Sequence, residues 1–86
     1  MSRKPVDWSR LLPRPLVIPD VMTLKTLADV RKLIGHLPAE YRSRSTWQRV
    51  EAQLKAAAAG GADPNDVLIA LELVLMLERV EFRWKR

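Results

Sequence analysis

The sequence predicts an all-α domain, in which an extended proline-rich N-terminal arm over residues 1–22 precedes a three-helix bundle over residues 23–86. Three observations support this. The run Val67 to Leu77, VLIALELVLML, has Glu72 as its single charge and is built mainly of leucine, alanine and methionine, which favour helix over strand. Helix-start and helix-stop residues sit at the right offsets around two further apolar stripes. No stretch reads as an alternating strand pair joined by a turn.

Taken in order, the arm holds Pro5, Pro13, Pro15 and Pro19, so no regular helix can run there. Its apolar stretch Leu11 to Ile18 is too apolar for a free linker and is expected in polyproline or β conformation across the helices. The first eight or so residues are expected to be mobile. The first helix, about 24–37, is expected to begin at Thr23 or at Thr26, where Asp29 completes a capping box, and to stop before Pro38. Leu27, Val30, Ile34 and Leu37 are its buried stripe, and Gly35 either weakens its last turn or admits a neighbouring backbone. Pro38 to Tyr41 can form one turn before the polar break Arg42 to Ser45.

The second helix, about 46–59, is expected to be capped by Ser45 with Gln48 in a box of the S-x-x-Q form and ended by Gly60-Gly61. It buries Trp47, Val50, Leu54 and Ala57 or Ala58, and Glu51 and Lys55 make an i,i+4 pair on its surface. Asp63-Pro64-Asn65-Asp66 then reads as N-cap, first-turn proline and acidic first turn, opening a third helix over about 64–81. On its wheel, Glu72, Arg79 and Arg83 form one charged stripe. Leu68, Leu71, Leu75 and Phe82 make one apolar flank and Ile69, Leu73, Met76, Val80 and Trp84 the other, with Val67, Ala70, Val74 and Leu77 between them. Such a helix must be covered on more than one side. Eleven residues containing a glutamate are too few to span a bilayer, which needs about 20.

Composition narrows the function classes. The chain has 86 residues and no cysteine, so disulfides and thiolate metal sites are excluded, and its single histidine cannot make a zinc site alone. A core this small leaves association with another chain as the natural means of stabilisation. The opening residues lack the apolar region of a signal peptide, so a cytoplasmic protein is expected. Ten arginines against five lysines, with frequent alanine, is a bias associated with GC-rich bacterial genomes. The net charge of +5 is unevenly spread: residues 21–50 carry +4, 51–78 carry −4 and 79–86 carry +3.

No nucleophile with a base, no tuned carboxylate pair and no metal set is visible. His36 reads as a solvated or helix-capping residue, and its nearness to Ser43 and Ser45 in sequence does not make a triad. The chain is therefore expected to have no catalytic, cofactor-binding or metal-binding residue and to act by protein association. A homodimer through Ile69, Leu73, Met76 and Val80 is the leading expectation, because the first two helices can cover the middle and one flank of the third and leave that seam open. An unidentified protein partner is a further possibility on the same grounds. Nucleic-acid binding by Arg42, Arg44 and Arg49, with Tyr41 and Trp47 to stack on bases, is the main alternative. Phe82 to Arg86, aromatic and basic, would suit an anionic membrane surface, though it reads more simply as the wet end of the third helix.

Overall fold

The computed structural model describes residues 6–84. It is a mixed α/β fold, not an all-α bundle: β1 (Leu11–Ile18), β2 (Met22–Thr26), α1 (Leu27–Gly35), α2 (Ala39–Arg42), α3 (Ser45–Ala58), α4 (Pro64–Leu77) and β3 (Arg83–Trp84). The strands form one antiparallel sheet in the order β2-β1-β3, and β1 and β2 pack against α4 and α1 respectively.

The supposed arm is thus the central strand of the sheet. Leu16 and Ile18 point inward in alternation with half-buried Val17, and Leu12 and Leu24 join them in the core. Two prolines in a central strand would ordinarily break its ladder. Here they fall in an irregularity: Leu11 pairs with Thr26 and Leu16 with Leu24, so β1 spends five steps where β2 spends two. Pro13 and Pro15 lie in that excess, where no partner asks for their missing N–H groups, and β3 pairs with β1 only at Leu16 and Val17, beyond the prolines. The β1–β2 connection is a tight turn in which Val21 N–H donates to the Ile18 carbonyl. Pro19 supplies the first central position, and Asp20 takes the left-handed backbone (φ 63°) at the second, the arrangement of a type II turn.

Met22 to Thr26 is consequently strand, not the first turn of a helix. Of the two expected starts for α1 the structure uses Thr26: its hydroxyl accepts from Asp29 N–H (3.3 Å) while the Asp29 carboxylate accepts from Thr26 N–H (3.1 Å). Leu27, Val30, Leu33 and Ile34 are buried, Leu37 is half-buried past the helix end, and exposed His36 is the C-cap. A Cβ at Gly35 would meet nothing within 4 Å, so no backbone exploits its absence. Gly35→Ala is expected to stabilise the fold by roughly 0.5–1 kcal/mol, seen as a higher urea midpoint at unchanged m-value. A lowered midpoint would show that the last turn needs glycine.

The face expected on α3 is the one buried: Trp47, Val50, Leu54, Ala57 and Ala58. Its cap is not as expected, because Arg44 occupies the N-cap position with no side-chain cap bond and Ser45 is already the first helical residue. Asp63 does cap α4, its carboxylate accepting from Asn65 N–H at 2.8 Å. Asp63→Ala should therefore cost about 0.5–2 kcal/mol and Ser45→Ala within about 0.5 kcal/mol of nothing, a difference that paired urea titrations resolve. Equal costs would contradict the assigned caps.

Both long helices end in the same motif. After α3, Gly60 N–H donates to the Ala57 carbonyl and Gly61 N–H to that of Ala56, with Gly60 left-handed at φ 86°. After α4, Arg79 N–H donates to Met76 and Val80 N–H to Leu75, with Arg79 left-handed at φ 57°. A residue with a Cβ thus takes the position that glycine usually fills. The helix expected to run to about residue 81 stops at Leu77, and the chain turns back to lay Arg83 and Trp84 beside β1. Phe82 and Trp84 pack on the core with their rings T-shaped, edge to face, 6.3 Å between centroids, and Arg14 of β1 lies 5.2 Å over the Trp84 ring. The C-terminal segment is therefore not the wet end of a helix; its last two residues, Lys85 and Arg86, lie outside the described residues.

The expected mobile N-terminus falls partly outside the described residues, at 1–5. Residues 7–10 are held. Asp7 N–H donates to the Ala58 carbonyl, Leu27 N–H to Arg10 and Ala28 N–H to Trp8. The Arg10 guanidinium donates to the Ala57 carbonyl, bringing positive charge to the C-terminal end of α3.

Candidate association surface on the last helix

The two faces of α4 have different fates. Val67, Leu68, Leu71, Val74 and Leu75 recur at helical spacing and are buried against α3 and the sheet. Ile69, Leu73, Met76 and Leu77 lie on the opposite side and are 55%, 53%, 63% and 62% exposed. Leu77, expected between the flanks, joins the open face. Val80 lies past the helix end at 37% exposure, beside Leu37, Tyr41 and Trp47, and so stands apart from the helical seam in which it was expected. The strand that replaces the arm covers the inner face of α4 and leaves this outer face open.

A groove of about 290 Å³ runs along the open face between α3 and α4. Thr46, Arg49 and Gln53 line it from α3; Asp66, Ile69 and Leu73 line it from α4, with Ala70 and buried Val74 between. The surface is thus an apolar strip with a polar border, the pattern of a contact that must tolerate water when unoccupied. Glu72 is half-buried at the other border of the strip. Its expected alignment with Arg79 and Arg83 fails because neither arginine is on the helix.

Arg42, Arg44 and Arg49 are all exposed, but they serve different surroundings. Arg44 is engaged within the chain: its guanidinium donates to both carboxylate oxygens of Glu78, at 2.5 and 2.6 Å, and lies 4.6 Å over the Tyr41 ring. The hydrogen bond that Arg44 donates to Glu78 raises the Arg44 pKa above its already high ordinary value. Arg49 borders the α4 groove, and Arg42 sits on the short α2. Trp47 is 3% exposed and cannot stack on a base; its indole N–H is buried with no partner among the described residues. Among those residues no helix is long and apolar enough to cross a membrane.

The Arg44–Glu78 pair was not foreseen from sequence, where Arg44 reads only as a candidate nucleic-acid contact and Glu78 carries no signal. The antiparallel course of α3 and α4 brings them together, since it sets the start of one helix beside the end of the other. Comparison with protein families, with curated proteins and with solved structures finds no match.

Proposed function

We propose that the protein is a non-catalytic association module that forms a homodimer through the outer face of α4, and that it works in the cytoplasm. The observation that carries this reading is the set of four large apolar side chains, Ile69, Leu73, Met76 and Leu77, more than half exposed along one side of a well-formed helix. Isolated exposed apolar residues are ordinary; four in a line on the most apolar helix of a small domain are not. A second copy is the occupant that fits, because the charges flanking the strip have opposite sign at its two ends: Asp63 and Asp66 at one, and at the other Arg79, beside a Glu78 that Arg44 already neutralises.

Magnitudes set the strength of the contact. The four side chains are already about half sheltered in each copy, so burying the remainder on both copies, eight side chains in all, is worth roughly 6–12 kcal/mol. The freedom lost when two chains associate costs about as much, at roughly 4–15 kcal/mol. The dimer is therefore concentration-dependent and draws on the borders of the strip as well as its centre. Size-exclusion chromatography with light scattering tests this: the expected result is a mass that rises to that of a dimer by tens of micromolar. A monomer at that concentration rejects the reading.

A further inference from the structure

We infer that the second copy lies antiparallel, with the Leu73 side chains meeting beside the two-fold axis and the Asp66 end of each α4 lying next to the Arg79 end of the other. This inference rests on the homodimer proposed above and adds its direction and register. A closed pair of identical chains needs a two-fold axis, and two helices can satisfy one either parallel or antiparallel. In the parallel arrangement Asp66 faces a second Asp66 and Arg79 a second Arg79, and the two helix dipoles align side by side. The antiparallel arrangement exchanges both repulsions for attractions and opposes the dipoles.

The residues also fix the register. Because α4 stops at Leu77 and Val80 leaves the seam, the apolar strip is centred close to Leu73. Ile69 and Met76 are placed symmetrically about a point between residues 72 and 73, so each meets the other across the axis. The same two-fold brings the chain just past the end of α4, at Arg79, toward the Asp66 end of the partner's α4. Among the described residues neither Asp66 nor Arg79 has an ion-pair partner within its own chain, so both are available for one across the interface.

The absence of cysteine from the chain makes the direction measurable, since a single introduced thiol can be crosslinked without background. At 1.5 Å per residue, two Ile69 positions in the antiparallel pair are about 10 Å apart along the axis, beyond the roughly 7 Å that a disulfide spans between Cα atoms. Two Leu73 positions are within reach. Under mild oxidation at tens of micromolar, Leu73→Cys is expected to yield a disulfide-linked dimer, and Ile69→Cys and Met76→Cys alone are not. A mixture of the last two, one of them carrying a mass tag, is expected to yield the crosslinked heterodimer. As a second readout, Asp66→Arg and Arg79→Asp should each weaken the dimer about tenfold and their combination should restore it; Asp is well suited to the left-handed backbone at position 79. Self-crosslinking of Ile69→Cys overturns the antiparallel direction and leaves the homodimer standing. No crosslink from any variant, with a monomeric parent, removes the homodimer itself.

Discussion

Leu16→Ala is expected to destabilise the domain by roughly 2–5 kcal/mol, a large part of the total of about 5–15 kcal/mol that holds a domain folded. Leu16 is fully buried and is a strand residue with neighbours on both sides, Leu24 on β2 and Trp84 on β3. Truncation removes apolar contacts and opens a cavity that the sheet on one side and the helices on the other cannot both close. Leu11→Ala, at a position 71% exposed on the same strand, should stay within about 0.5 kcal/mol of the parent. Urea denaturation of the pair checks both numbers. Two small and equal effects would mean that residues 11–18 lie on the domain rather than in it.

Leu73→Glu is expected to convert the dimer to a monomer while leaving the monomer's stability nearly unchanged. The two consequences separate because Leu73 is 53% exposed in the single chain and glutamate is a good helix former, so the folded monomer loses little. In the dimer, two carboxylates would be brought together at the centre of an apolar strip and stripped of water, which costs several kcal/mol even after partial relaxation. At about 1.4 kcal/mol per factor of ten, association weakens at least a hundredfold. Light scattering reads the mass and thermal denaturation at low concentration reads the monomer. A dimer that survives this substitution moves the contact to another surface.

The helical half of the fold was legible because each signal was local. Thr26 with Asp29, Asp63 with Pro64, and Gly60 state their roles within a few residues, and the stripe from Trp47 to Ala58 repeats at helical spacing. The sheet was hidden because its signals are not local. Leu11 to Ile18 is expected in polyproline or β conformation and is β, but Pro13 and Pro15 argue against its pairing in a sheet until the excess residues of β1 are seen opposite β2, and a two-residue strand such as β3 has no pattern of its own. Met22 to Thr26 is too short to distinguish alternation from the start of a helix. The end of α4 was missed for a related reason, since the left-handed position after it is filled by Arg79 and not by glycine. The open face of α4 could be anticipated from the number of apolar stripes available to cover it. The engagement of Arg44 by Glu78 could not, because 34 residues separate them.

The position of β1 between the second and the last strands imposes an order on folding. The β1–β2 hairpin closes over a three-residue connection and can form early, on the microsecond scale of such local pairs. The β1–β3 pair joins Leu16 to Trp84 and encloses nearly the whole described chain, so its loop-closure entropy is recovered only once the intervening helices have packed. A chain emerging from the ribosome therefore carries β1 with one edge unpaired until residues 83 and 84 arrive, and the sheet is completed only after every helix between its strands has been synthesised.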